Sequence, residues 1–155
     1  METRHCRGCA EDLPSDCFRK GSEVCVWCCF RDMATRAAAR WVDKRKKSAK
    51  RPLEISKTEF ITWYCAQKDC CSYCGLTFAE LKTLRLQRAW GYVVSWDIDR
   101  LDPKIAYKPG NLALSCFICN MVKGESLTPD ETRAIGAAVR GVWDTRLAAK
   151  RASSS

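Results

Sequence analysis

The stretch from Ser95 to Gly124, SWDIDRLDPKIAYKPGNLALSCFICNMVKG, contains the signals that decide the fold. A run rich in Val, Trp and Ile at residues 93–98 predicts a strand, and it ends in acidic and basic side chains. A loop with two prolines and a glycine follows, and a second apolar run begins at Asn111. The residues after Cys119 are typical of a helix start. The stretch therefore predicts a compact strand–loop–strand–helix unit.

Cysteine spacing adds a metal-binding signal to this unit. The second apolar run ends in Cys116-Phe-Ile-Cys119, and Cys71-Ser-Tyr-Cys74 has the same two-residue spacing. This spacing suits two thiolates on one tetrahedral zinc ion, so the two pairs together predict a structural Cys₄ zinc site. Cys70 adjoins Cys71 and is a competing ligand.

Two further cysteine pairs lie near the N-terminus. Cys6-Arg-Gly-Cys9 and Cys25-Val-Trp-Cys28 are separated by fifteen residues that are rich in turn formers, and they predict a second structural Cys₄ zinc site. Cys29 adjoins Cys28 and is the alternative fourth ligand.

The remaining composition favours a reduced, cytoplasmic metalloprotein. The chain has twelve cysteines but no apolar leader and no apolar run of membrane-spanning length, which favours zinc over disulfides. Cys17 and Cys65 have no partner at a useful spacing and are interpreted as spare thiols. No membrane association is expected.

Positive charge is concentrated between residues 31 and 51. The formal net charge is +9, and this segment holds nine Lys or Arg against two Asp. It predicts phosphate contacts along double-stranded DNA. The predicted contacts are Arg36, Arg40, Lys44, Arg45 and Lys47. The alternative is a solvated helix followed by a basic linker that closes at Pro52.

The order and spacing of these motifs resemble the zinc-stapled HNH, or ββα-metal, nucleases. The matching residues are Cys71, Cys74, Gly75, Asp99, Arg100, Gly110, Asn111, Cys116, Cys119, Asn120, Lys123 and Gly124. Arg100 stands where the family usually has its first histidine. Together with Tyr107 in the loop and the N-terminal cysteine pairs, the arginine at this position makes the chain similar to rare-cutting restriction endonucleases of the family. The resemblance runs from about Cys6 to Trp143.

The resemblance implies a catalytic metal site in the ββα unit. Asp99 and Asn120 would hold one divalent ion, Mg²⁺ in the simplest case, because hard cations prefer oxygen donors. Asp97 lies two residues earlier on the same strand face and is the competing ligand.

The resemblance also implies the remaining catalytic roles. Arg100 cannot act as a general base because its guanidinium stays protonated, so it is expected to bind the scissile phosphate. Tyr107 is the implied base, and it would need nearby positive charge to serve near neutral pH. The alternative is activation of the water by the ion alone. Asn111 is expected to tie the loop across the hairpin.

The predicted fold is α+β, with a zinc-stapled ββα-metal nuclease core, an N-terminal Cys₄ module and flanking helices. Residues 1–52 are assigned to the zinc module and basic segment, 53–150 to the core, and 151–155 to a disordered tail. Ser56 and Thr128 predict helix N-caps. The apolar face expected on the last helix comprises Ile135, Ala138, Val139, Val142 and Leu147.

These features predict a sequence-specific double-stranded DNA endonuclease of the Type II restriction kind. It would act as a homodimer on a palindrome, with two structural zinc ions and one catalytic ion per chain. A junction-resolving nuclease and a non-catalytic zinc DNA-binding regulator remain alternatives. The Asp99 and Asn120 pair argues against the regulator.

Overall fold

The chain forms a mixed α+β protein, as predicted, in two compact units. The computed structural model describes residues 2–19, 21–32, 34, 53–88, 91–92 and 96–153. The first unit takes Met1–Gln67 and Ile105–Asn111, and the second takes Lys68–Lys104 and Leu112–Ser155. The boundary expected near residue 52 stays a prediction. The predicted DNA contacts lie outside the described residues: Arg36, Arg40, Lys44, Arg45 and Lys47.

Among its described residues, the first unit has one pair of strands and two α-helices. Strand β1 (Thr3–Cys6) pairs antiparallel with β2 (Glu11–Pro14). A 3₁₀ turn follows at Ser15–Cys17. Helix α1 comprises helical residues 26–32, and α2 spans Lys57–Cys65.

Helix α2 starts where its capping residues predict. The Ser56 hydroxyl accepts the Glu59 N–H, and the Glu59 carboxylate accepts the Ser56 N–H. Each bond satisfies a backbone group that the first helical turn leaves without a partner. Phe60 is fully buried and stacks on Phe30 with ring centroids 4.3 Å apart. These contacts place α2 in the core of its unit.

The second unit contains the predicted ββα arrangement. Strand β5 (Asp97–Arg100) pairs antiparallel with β6 (Leu112–Ser115), and α4 (Phe117–Lys123) follows directly. Before them lie α3 (Phe78–Leu84) and the short strands β3 (Gln87–Arg88) and β4 (Gly91–Tyr92). Helix α5 (Pro129–Ala152) ends the unit.

The buried face of α5 differs from the predicted one. Leu147 is buried as expected, but Ile135 and Val142 are 40% and 49% exposed. The helix instead turns Gly136 inward, where an added Cβ would lie 2.4 Å from the Tyr73 carbonyl oxygen. Close approach to that backbone is possible only without a side chain, and it rotates the larger aliphatic residues outward.

The end of α5 also corrects the expected tail. Arg151 and Ala152 continue the helix, so an irregular tail from residue 151 is wrong for these two residues. Basic side chains in the last turn, Lys150 and Arg151, favour this extension because they lie near the partial negative charge of the helix end. Among the described residues, no helix has both the length and the apolar character needed to cross a membrane.

Candidate active site and metal centres

Four buried thiols meet in the second unit. Cys71 and Cys74 come from the turn before α3, Cys116 caps α4, and Cys119 lies in its first turn. Their sulfurs all lie within 4.8 Å of one another, and those of Cys74 and Cys116 are 3.8 Å apart. Four sulfurs at about 2.3 Å from one zinc ion would be separated by ~3.8 Å in a regular tetrahedron. This second tetrad therefore has the dimensions of a zinc site.

The first unit also brings four thiols together, and we call them the first tetrad because they come first in the chain. The sulfurs of Cys6, Cys9, Cys25 and Cys28 also lie within 4.8 Å of one another, with Cys6 and Cys28 at 3.9 Å. The Cys25 N–H donates to the Cys6 sulfur at 3.2 Å. The Lys57 ammonium donates to the Cys9 sulfur at 3.0 Å. Such donors stabilise thiolates, which are the form that binds zinc.

The geometry also resolves the two adjacent-cysteine alternatives. Cys28 and Cys71 bring their sulfurs into the tetrads, whereas Cys29 and Cys70 belong to neither. The Cys29 thiol instead faces the Val24 carbonyl at 4.0 Å. Every cysteine is a free thiol rather than half of a disulfide.

Four thiols at this spacing cannot all ionise unless a cation joins them. Hydrogen bonds from its three partner thiols hold the pKa of Cys71 well below its usual value. The pKa of Cys119 is raised instead, first by its hydrogen bond with Cys116 and also by burial. A divalent cation stabilises four thiolates together, and four soft donors leave no coordination position for water. Both tetrads fit a structural zinc ion, not a catalytic one.

An amide and a carboxylate meet where β5 approaches α4. Asn120 follows Cys119 directly, and its Nδ2 donates to Asp97 Oδ2 at 3.0 Å. Asp97 is 8% exposed and Asn120 is half-buried. Both side chains carry the hard oxygen donors that Mg²⁺ prefers. Asn120 therefore contacts Asp97, which the sequence analysis treats as the competing metal ligand.

Asp99, on the same face of β5, belongs to a buried polar cluster. The Tyr73 hydroxyl donates to Asp99 Oδ2. The Lys123 ammonium lies 3.4 Å from Oδ1 and 3.3 Å from Oδ2. Burial raises the pKa of Asp99, and the bonds from Tyr73 and Lys123 act in the opposite direction. Lys123 also donates to the Arg100 carbonyl at 2.7 Å, so it joins α4 to the end of β5.

The sequence-based prediction gives Tyr73 no role and names Lys123 only as a matching residue of the HNH pattern, yet both contact Asp99. Lys123 lies three residues after Asn120, and this spacing places both on one side of a helix. The spacing is the sequence signal that could have placed Lys123 near the site. Tyr73 carried no such signal, because the turn between two metal-binding cysteines sets its direction. Burial, together with its bond to Asp99, raises the pKa of Tyr73, so the phenol stays protonated and donates.

Arg100 ends β5 opposite Leu112 and is buried. Its residue type and place in the strand agree with the expected position at the end of the first strand of the ββα unit. The second unit therefore gathers Asp97, Asp99 and Asn120 around one strand, with Arg100 at its end.

Tyr107 and Asn111 belong to the first unit. Asn111 Nδ2 donates to the Ala106 carbonyl at 2.9 Å, which ties the loop to itself. The Tyr107 ring packs edge-on against Phe30 with centroids 5.3 Å apart, and its carbonyl accepts the Glu54 N–H at 2.8 Å. Packing thus holds the backbone and ring of Tyr107 within its own unit.

Comparison with solved structures finds that the chain is similar to the rare-cutting HNH restriction endonuclease PacI, a protein described for its perturbation of DNA. The TM-score is 0.65 at 27% sequence identity, covering 92% of this chain and 97% of that chain. The resemblance to HNH nucleases is confirmed by this similarity. No family model and no curated protein matches the sequence.

Proposed function

We propose that this chain is a metal-dependent, sequence-specific endonuclease that cuts double-stranded DNA. The similarity to PacI over nearly the whole chain supports a DNA endonuclease of the HNH restriction kind. The observation that carries the finer proposal is the contact between Asp97 and Asn120, one residue after a thiol tetrad. Oxygen donors held beside a rigid metal-binding turn are what a nuclease needs to bind a second, hard cation.

The proposed ligands of a catalytic Mg²⁺ are Asn120 and one of two aspartates. Asp99 is the expected partner, and the hydrogen bond from Asn120 favours Asp97. When bound, such an ion supplies Lewis acidity towards phosphate oxygens. Asp99 is already balanced by Lys123, so its alternative role is to position the end of β5.

Two variants separate these roles. Asp97→Asn and Asp99→Asn keep the side-chain shape but remove one charge each. We expect the variant lacking a true ligand to lose cleavage at low Mg²⁺ and to regain part of it at high Mn²⁺. The variant lacking a positioning residue should not respond to the ion concentration. Equal rescue of both would assign both aspartates to the ion.

The proposed roles of Arg100 and Tyr107 complete the reaction. Arg100 binds the scissile phosphate and stabilises charge on its oxygens as the water attacks phosphorus. Tyr107, in its phenolate form, takes the proton of that water while the bond to the 3′ oxygen breaks and leaves its electron pair on that oxygen. Asn111 keeps the intervening loop in shape, as its bond to Ala106 supports. Arg100→Lys should cleave poorly because it keeps charge but loses the planar fork.

Two structural zinc ions are proposed, one in each tetrad. In the second tetrad, loss of zinc should release Cys119 and loosen Asn120, the next residue along α4. Thiolate tetrads need a reducing compartment, which supports the cytoplasm as the proposed location.

Charge and exposed apolar surface support the proposed DNA binding and dimerisation. The proposed phosphate contacts are Arg36, Arg40, Lys44, Arg45 and Lys47. If two copies of the chain bind one palindromic site, they contact each other through the same surface patch on both copies. Exposed Met121 and Val122 on α4, and Ile135 and Val142 on α5, offer apolar surface for it. Sedimentation equilibrium would measure the dimer.

Cleavage of intact plasmid and of a synthetic four-way junction, each with Mg²⁺, tests the proposal. Discrete bands from plasmid are expected. Cleavage of the junction alone would favour a junction-resolving nuclease, and no cleavage of either would favour a zinc DNA-binding regulator. Asn120→Ala and omission of Mg²⁺ serve as controls, because both should leave the proposed catalytic site without its ion while the thiol tetrads stay unchanged.

A further inference from the structure

Besides the two tetrads, the described residues contain a third cluster of side chains that could hold a metal ion, and it lies in the first unit. The two cysteines interpreted as spare thiols, Cys17 and Cys65, come together with Asp16. Their sulfurs and one carboxylate oxygen all lie within 4.8 Å of one another. Cys17 lies in the 3₁₀ turn after β2, and Cys65 is the last residue of α2. The fold thus pairs thiols that are 48 residues apart in the sequence.

The dimensions of the group suit one tetrahedral cation. The Cys17 sulfur lies 3.7 Å from Asp16 Oδ1. With zinc bonds of about 2.3 Å to sulfur and about 2.0 Å to oxygen, a tetrahedron separates these atoms by ~3.5 Å. The other two separations are within 4.8 Å, so side-chain rotation is what would bring all three donors onto one tetrahedral face.

Among the residues that the structure describes, no fourth His, Cys, Asp or Glu joins the group, and two of its three members face solvent. Cys17 is buried, whereas Asp16 and Cys65 are exposed. The position of Cys65 at the end of α2 also favours a cation, because the last carbonyls of a helix carry partial negative charge. The same charge disfavours a free thiolate there.

We propose that Asp16, Cys17 and Cys65 form a third metal site, which binds a thiophilic divalent cation such as Zn²⁺ or Cd²⁺ with water as its fourth ligand. Each thiol releases its proton to solvent as the metal–sulfur bond forms, and nothing is oxidised. With three protein donors instead of four, the ion is held more weakly than in the tetrads and exchanges with solution. It would join the segment after β2 to the end of α2.

Protonation opposes binding at this site. Occupancy should therefore fall as the pH falls, because protons compete with the cation for the thiolates.

Metal counting on the full-length protein tests the site. The protein is kept reduced with a phosphine and equilibrated at pH 8 with excess Cd²⁺ and a larger excess of Mg²⁺, which keeps cadmium out of the proposed catalytic site. It is then freed of unbound metal. Total zinc plus cadmium is then measured by mass spectrometry. We expect about three ions per chain for the wild type and two for Cys17→Ser. Cys29→Ser removes a first-unit thiol outside every cluster and should retain three.

Other results would overturn the proposal. They are two ions in the wild type, three in Cys17→Ser, or two in Cys29→Ser. If Cys17→Ser fails to fold because its thiol is buried, Cys65→Ser gives the same readout from an exposed position. A third ion retained there would equally refute the site.

Discussion

Lys123 is predicted to stabilise the fold chiefly through its buried contact with Asp99. Its side chain is 0% exposed, and that of Asp99 is 8% exposed. Lys123→Met keeps most of the side-chain length but removes the ammonium. It would leave the Asp99 carboxylate and the Arg100 carbonyl without this donor.

The magnitude follows from this burial. Removing one partner of a buried ion pair typically costs about 3–5 kcal/mol, whereas replacing both partners by neutral groups costs much less. We therefore expect Lys123→Met to lower the free energy of unfolding by about 3–5 kcal/mol. Lys123→Met combined with Asp99→Asn should cost clearly less than the sum of the single changes.

The cost should also depend on pH. The pKa of Asp99 is already raised by burial, and loss of Lys123 removes an interaction that lowers it. The folded variant would then bind a proton more tightly than its unfolded chain. Its stability relative to the wild type should improve as the pH falls below neutral.

Urea denaturation of zinc-saturated protein, followed by circular dichroism, measures these differences. Lys68→Met is the matched control because Lys68 is exposed in the same unit, and we expect it to change stability by less than about 0.5 kcal/mol. A cost below about 1 kcal/mol for Lys123→Met, or strict additivity with Asp99→Asn, would refute the reasoning.

Four further predictions test other parts of the molecule. Tyr107→Phe should keep fold and DNA binding but slow single-turnover cleavage by roughly 10²–10⁴-fold; a near-normal rate would leave Tyr107 as a residue that packs on Phe30. Cys116→Ser should lose one zinc ion and most cleavage, measured by metal analysis and plasmid digestion, whereas Cys70→Ser should lose neither. Lys44→Ala should reduce the slope of log affinity against log salt by about one, and an unchanged slope would indicate a solvated linker. Gly136→Ala should cost about 1–3 kcal/mol because its Cβ would meet the Tyr73 carbonyl, whereas Gly141→Ala has open space and should be neutral or stabilising in thermal unfolding.

Local signals predicted much of the fold. The cysteine pairs, the capping boxes at Ser56 and Thr128, and the ββα order depend on residues a few positions apart. Short-range geometry determines each of them, so spacing alone was enough. The joining of each Cys pair with its distant partner was also predicted, because one tetrahedral ion needs four thiolates.

The tertiary structure alone decided which side chains meet. Whether Cys28 or Cys29 joins the tetrad depends on the direction in which the backbone directs each side chain. Two adjacent cysteines give no sequence signal for that direction. The same holds for the bond from Asn120 to Asp97, since both aspartates of β5 share one strand face.

Packing against distant segments decided the rest. The burial of Lys123 beside Asp99, the inward turn of Gly136 and the meeting of Cys17 with Cys65 each join segments far apart in the chain. No periodicity within one element encodes such contacts, because they depend on close packing between elements. Spacing and capping signals in the sequence predict the elements and the cysteines that could hold zinc, whereas packing between elements brings particular carboxylates, cations and thiols together.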